Sequence, residues 1–350
     1  VSFCELGQER LRSARKTEPT VVDLFAGAGG MGLGFRDAGF RVALAIENDR
    51  DAAQTYRLNH PGVPVLEVDM RRVEAEDVLA IVGARPDVVC AGPPCQSFSM
   101  AGRRANRDPR HRLYRHVLEV ADALKPRVVL IENVPGVSRV MGRRSYIHTI
   151  KDELEAHYAS EVRLLDASAY GVPQLRNRYF FFGRRRRTAE IGTPPTTHSL
   201  TRKAGHRLTP TVTKALATLP RRLHGSRNDV HKIRGKVAIR NLATMLHSKR
   251  VVMRIKRIHA GEGPLSYRRI PRDYAQTIVA GHRALPVHPT AHRTISVREA
   301  ARLQGFPDDY AFLGPRANQP LQVANAVPPP LARAIAQHIR VHLERYARRK

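Results

Sequence analysis

The sequence predicts a doubly wound α/β fold, a mostly parallel sheet with helices on both faces, joined to a smaller, irregular and basic second domain. Three observations predict it. Short apolar runs alternate with helical stretches from residue 20 to 182. The alternation breaks after "FFFGRRRR". A glycine-rich turn follows the first apolar run and opens a helix, at the end of the sheet where such folds bind ligands.

The runs "TVVDLF", "RVALAIE", "DVVCAG", "RVVLIENV" and "RYFFFG" are β-branched or aromatic, as strands buried on both faces require. "DRDAAQTYRLNH" and "RLYRHVLEVADALK" are helical stretches between them, and strand–helix–strand connections make parallel neighbours. Residues 1–19 read as a tail without an apolar signal-peptide core, and residues 20–183 as the first domain. From 184 to 290 prolines, glycines and basic residues dominate, and little periodicity survives, so a loop-rich second domain is expected there. Regularity resumes at "TISVREAARLQGF", where Ser296 caps a helix from near Val297 and Glu299 completes a capping box. Residues 291–350 return to the first domain through a helix with Leu331, Ile335, Ile339 and Leu343 on one face.

Charge narrows the partners. The 350 residues carry 60 Lys+Arg against 31 Asp+Glu, a net +29. Between Arg184 and Arg283 there are 24 Lys+Arg and only 4 Asp+Glu, so the excess is concentrated in the second domain. Such a field favours a polyanion, nucleic acid first. No apolar run approaches the ~20 residues of a membrane-spanning helix. Cys4, Cys90 and Cys95 lack zinc-site spacing and cannot make a disulfide framework, which points to a reducing, cytoplasmic compartment. The 16 histidines show no repeated ligand spacing, and no metal is assigned.

"DLFAGAGGMGLGF" holds Gly27, Gly29 and Gly32 in a G-x-G-x-x-G pattern that lets backbone approach a ligand. Glu47 ends the second strand, where a carboxylate accepts hydrogen bonds from ribose hydroxyls. Asp69, after the third strand, suits an adenine amino group. A nicotinamide dinucleotide and S-adenosylmethionine both satisfy this loop, and the loop alone does not choose.

"AGPPCQSFS" sets Cys95 after two prolines, which restrict the backbone and display the thiol rather than pack it. "RVVLIENV" delivers Glu132 at a strand end, and "QLRNRYFFFG" places Arg176 and Arg178 at alternate positions facing one way. Together they answer one chemical problem. Carbon 5 of cytosine is a poor nucleophile until a thiolate adds to carbon 6; a carboxyl group at nitrogen 3 and a guanidinium at the carbonyl oxygen then offset the developing charge. Nearby positive charge helps the thiol ionise.

The motifs "DLFAGAGGMGLGF", "GPPCQSFS", "ENV", "QLRNRYFFFG", "RTISVREAARLQGFPDDY" and "QVANAVPPPLA" occur in the order seen in DNA (cytosine-5) methyltransferases, which the chain resembles over its first 183 and last 60 or so residues. The resemblance implies an S-adenosylmethionine-dependent fold, Cys95 as nucleophile, Glu132 as the nitrogen 3 partner, Arg178 on a flipped cytosine, and Arg176 orienting the catalytic loop or base. It implies cofactor contacts from Phe25, Gly27 and Gly29, from Glu47 to ribose and Asp69 to adenine, with Asn325 and Val327 closing the pocket. It also implies double-stranded DNA as substrate and a target-recognition role for the basic domain; a cognate restriction endonuclease and an orphan methylase both stay open, and a monomer is the default expectation. One position departs: Ala324 stands where that family usually has Gly, a methyl group where close backbone approach is expected. Residues 99–112, long and basic, are expected to form a lid over DNA. The rival chemistry is the same transfer to tRNA, whose enzymes carry a Cys-Phe-Thr signature missing after "QLRNR". A catalytically inactive DNA-binding relative is a second rival, and an NAD-linked dehydrogenase explains the glycine loop alone.

Overall fold

The computed structural model describes residues 18–94, 113–138, 140–141, 144–219, 231–233, 237–264, 267–279 and 285–347. Seven segments form its central sheet: β1 (Thr20–Leu24), β2 (Arg41–Glu47), β3 (Val65–Glu67), β4 (Val88–Ala91), β5 (Val128–Asn133), β6 (Ala159–Asp166) and β7 (Asn177–Arg184). Their spatial order is β3-β2-β1-β4-β5-β7-β6. The first five run parallel, and β7 lies antiparallel between β5 and β6. The apolar runs identified as strands are strands, and β4 and β5 are buried along their whole length, as central parallel strands must be.

Two features differ from the sequence expectation. β7 reverses direction, which a run of aromatics does not encode. β6, "ASEVRLLD", escapes periodicity analysis because it is a sheet edge, half-buried and polar, with Leu164 50% exposed.

Helices cover both faces. On one face α1 (Gly30–Asp37) and the C-terminal helix bury Phe35, Leu331, Ile335, Ile339 and Leu343 against Val88, Val128, Phe180 and Phe182. On the other, α3 (Ala75–Val82), α4 (Leu113–Leu124) and α5 (Tyr146–His157) bury Val78, Val117, Leu124, Ile150 and Leu154 against Val129, Ile131 and Phe181. The three consecutive phenylalanines of β7 thus split between faces, as strand alternation dictates. α2 (Arg50–Asn59) starts at Asp49, whose carboxylate accepts from Ala52 N at 2.8 Å.

The basic segment contains α6 (Val212–Leu216), α7 (Lys249–Lys256) and strands of two or three residues such as His198–Ser199 and Val237–Ile239. Its described apolar residues do not form a separate core. Val212, Leu216, Leu242, Ile270 and Ile278 share one cluster with Leu33 of α1, with Leu303 of α8 (Val297–Gln304) and with Val323 of α9 (Gln319–Asn325). α8 begins with the expected capping box: Ser296 accepts from Glu299 N and Glu299 from Ser296 N. α10 (Pro329–Ala347) is the C-terminal helix, with its four aliphatic positions buried. No helix among the described residues is long and apolar enough to cross a membrane.

Asp23, inside β1, is wholly buried and accepts from the Tyr56 hydroxyl at 3.3 Å and the Cys90 thiol at 3.5 Å. Burial pushes its carboxyl up to about 7, against the opposing pull of those donors. Between about pH 4 and 7 the unfolded chain therefore releases a proton that the fold retains, so stability falls as pH rises through that window and levels off above it. Asp23→Asn should flatten this part of the curve relative to the parent, by about 1.4 kcal/mol for each unit of elevation removed. Urea unfolding of both proteins across the window measures it, and parallel curves would refute it.

Candidate active site

The carboxyl ends of β1, β2, β4 and β5 lie side by side, because these strands are parallel neighbours. The turn after β1 needs left-handed backbone: Phe25 has φ 54°, Gly27 55° and Gly29 91°. Gly27 N donates to Glu47 Oε2 at 2.7 Å, and Asp49 N donates to Glu47 Oε1 at 2.8 Å. These bonds fix the Glu47 carboxylate beside the turn, while burial raises its pKa despite them. A carboxylate has about four lone-pair sites, so acceptor capacity remains on both oxygens. On the side where a Cβ of Gly27 would project, nothing lies within 4 Å. Gly30 is different. Its Cβ would sit 2.3 Å from Val327 O, so glycine there lets α1 meet the turn between α9 and α10.

Asp69 caps the short 3-10 helix Met70–Arg72 and holds the Arg71 guanidinium, with Oδ1 3.0 Å from Nε. That partner holds its carboxyl down at about 2. Val327 is buried beside the glycine turn, whereas Asn325, at the end of α9, is exposed.

Glu132, next to last in β5, is 8% exposed. It faces Phe180 of β7, so Arg178, two residues along, projects from the same face and its Nε donates to Glu132 Oε1 at 2.8 Å. Burial raises the Glu132 pKa, with Arg178 and Arg176 opposing. Its Oε2 stands 3.7 Å from where a Cβ of Gly92 would be. Gly92 is followed by Pro93 and Pro94; Cys95 and residues 99–112 lie outside the described residues.

Arg176 is wholly buried between the short strand Gln174–Leu175 and β7. Its Nη2 donates to Ala324 O at 2.8 Å and Ala326 O at 3.0 Å, and its Nη1 to Ile278 O at 3.4 Å. Burial and the Arg178 charge lower its pKa, while Glu132 opposes them. Nε has no partner among the described residues. Two glutamines that sequence reading left without a role complete this knot. Gln174 Nε2 donates to Gln304 Oε1 at 2.6 Å, Gln174 Oε1 accepts from Ile278 N at 2.8 Å, and Gln304 Nε2 donates to Ala326 O at 2.7 Å. Gln174 alternates with Arg176 and Arg178, and Gln304 lies inside the "RTISVREAARLQGFPDDY" stretch, but nothing local assigned either a partner. Ala324 is not among the residues with positive φ, so its methyl group meets no conformational penalty.

A family model described as C-5 cytosine-specific DNA methylase matches residues 19–340. The Type II methyltransferase M1.HphI of Haemophilus parahaemolyticus is 33% identical over 338 residues, covering 91% of this chain and 86% of that protein. M.DdeI of Desulfomicrobium norvegicum is 31% identical over 379 residues, covering 93% and 89%. A putative DNA modification methyltransferase encoded within a prophage of E. coli superposes with TM-score 0.77 at 28% identity, covering 93% of this chain and all of that one. The S. pombe Dnmt2 methyltransferase, at 18% identity and TM-score 0.65, shares the fold.

The two glycine positions make a testable contrast. Gly30→Ala forces a methyl group onto a backbone carbonyl and should cost about 1–3 kcal/mol in denaturant unfolding. Gly27→Ala meets open space and should cost only the left-handed backbone, about 1–2 kcal/mol. It should also crowd any ligand at the turn. Equal ligand affinity for Gly27→Ala and the parent would contradict the open-face assignment.

Proposed function

The chain belongs to the C-5 cytosine-specific DNA methylase family, and from that premise we propose how its residues methylate carbon 5 of cytosine in a specific duplex site. The observation that carries the reading is the buried Glu132–Arg178 pair at the strand ends, beside the Gly92-Pro93-Pro94 approach to Cys95.

The glycine turn fits S-adenosylmethionine. The open face of Gly27 leaves room for it, Phe25 borders the same turn, and Glu47 retains acceptors for ribose hydroxyls. Asp69 would share its carboxylate between Arg71 and the adenine amino group. Val327 would close the pocket beside Gly30, with Asn325 at its rim. When bound, the group supplies an electrophilic methyl on a sulfonium.

The protein's part begins with extraction of the base, since a stacked cytosine hides both faces. The Cys95 thiolate adds to carbon 6, and the displaced electron pair moves toward nitrogen 3 and carbon 5. Glu132, favoured in its protonated form by burial, gives its proton to nitrogen 3. Arg178 keeps Glu132 oriented and places its positive charge toward the carbonyl oxygen. Carbon 5 is then electron-rich enough to accept a methyl group. Water takes the carbon 5 proton, the freed pair restores the carbon 5–carbon 6 double bond and expels the thiolate, and nitrogen 3 returns its proton to Glu132. Arg176 positions rather than reacts: it ties the 324–326 turn to the strand that carries Arg178.

The basic residues of 184–290 supply phosphate contacts and site recognition in this reading, and a restriction–modification role is supported by the relatives being Type II methyltransferases. Transfer of labelled methyl groups into duplex DNA, and not into tRNA, tests the substrate. Label appearing only in tRNA would overturn it. Bisulfite sequencing of DNA from cells expressing the chain reads the site itself.

Cys95→Ala should abolish product while duplex affinity persists. Glu132→Gln should slow single-turnover transfer by about 10²–10⁴ with little change in duplex affinity. Near-normal turnover of the first variant, or matched losses of rate and affinity in the second, would contradict these roles.

A further inference from the structure

At the end of the sheet opposite the active site, where β4 and β5 begin and β7 ends, lies an open cleft of about 550 Å³. That is the size of a small-ligand site. Arg85, Lys125, Arg127, Arg185, Arg186 and Arg187 line it. The one carboxylate in the lining, Asp87, is already committed: it accepts from Thr20 N at 2.9 Å and pairs with Arg127 at 3.3 Å.

Arg185 and Arg186 are anchored on backbone carbonyls. Arg185 Nε donates to Pro126 O at 3.1 Å, and its Nη2 donates to Lys125 O. Arg186 donates to Glu155 O and Ala156 O, with the Glu155 carboxylate 3.9 Å away. Arg85, Lys125 and Arg187 are exposed and have no acidic partner among the described residues. Tyr346 adds an aromatic wall, and Arg127 lies 6.0 Å from its ring centre.

Lys125, at φ 50°, ends α4 as a left-handed cap, its N–H donating to Ala121 O at 2.8 Å. One feature here opposes stability and serves no packing purpose: several like charges converge on one concavity. An anion there would offset their repulsion. From Val128 at this end to Glu132, β5 advances about 13 Å at ~3.3 Å per residue, so the cleft is separate from the catalytic end.

We propose that this cleft is a second anion-binding site that takes closely spaced phosphate groups, belonging either to a nucleic-acid strand outside the recognised sequence or to a free polyphosphate. The ligand's charges sit among Arg85, Lys125 and Arg187.

The probe is inorganic tripolyphosphate, titrated calorimetrically into the full chain already saturated with a duplex just long enough to cover its target. Saturable binding of one equivalent is expected. The triple variant Arg85→Ala/Lys125→Ala/Arg187→Ala should weaken it roughly tenfold or more, with the melting temperature and methylation of the short duplex retained. Removing three exposed arginines elsewhere, Arg36→Ala/Arg57→Ala/Arg333→Ala, should leave it intact. A long duplex that displaces tripolyphosphate identifies strand phosphates as the occupant, and one that does not identifies free polyphosphate. No saturable binding, or equal weakening by both triple variants, overturns the proposal.

Discussion

A carboxyl group held out of water against a guanidinium organises this molecule. Glu132 and Arg178 lie on adjacent antiparallel strands, and their contact requires β7 to sit between β5 and β6 with Phe180 facing Glu132. Burying either partner alone would leave an uncompensated charge, so the pair demands both strands in this register. Desolvation outweighs the arginines and biases Glu132 toward its protonated form. A group in that state can donate to a ring nitrogen, which a freely ionised surface glutamate does poorly.

The second constraint is that distant parts of the chain meet at the strand ends. Arg176 and the Gln174–Gln304 pair bind backbone carbonyls and amides of residues 278, 303, 324 and 326. They thereby join the strand bearing Arg178, the end of the basic segment and the turn that packs on Gly30. Ile278 of the basic segment is thus bonded to the strand that carries Arg178 and, through Arg176, to the turn beside Gly30. The shared apolar cluster, running from Leu33 through Ile278 to Val323, packs the same elements together.

What the sequence made legible follows from physics. The central strands were readable because strands buried on both faces leave uninterrupted apolar runs, and Glu47 and Glu132 because each follows such a run directly. The capping box at Ser296 and the aliphatic face of α10 were readable because their determinants are local. β6 was not, since an edge strand keeps polar residues. The bonding of Arg176 was not, since its acceptors are carbonyls that carry no side-chain signature. The pairing of Asp69 with Arg71, two residues away, shows a carboxylate with a nearer partner than the ligand imagined for it. At Ala324 the backbone lies outside the left-handed region, so the alanine there carries no conformational penalty. The basic cleft at the far end of the sheet draws on residues 85, 125, 127 and 185–187, which only the sheet brings together.

The most direct measurement concerns a sulfur–carbon bond. A duplex carrying 5-fluorocytosine at its target position, incubated with the protein and S-adenosylmethionine, traps the adduct because fluorine cannot leave as the proton does. A denaturation-resistant protein–DNA species should accumulate in one-to-one proportion, and Cys95→Ser should form none. Methyl transfer into ordinary target duplex with no such species on the fluorinated one would contradict covalent catalysis by Cys95.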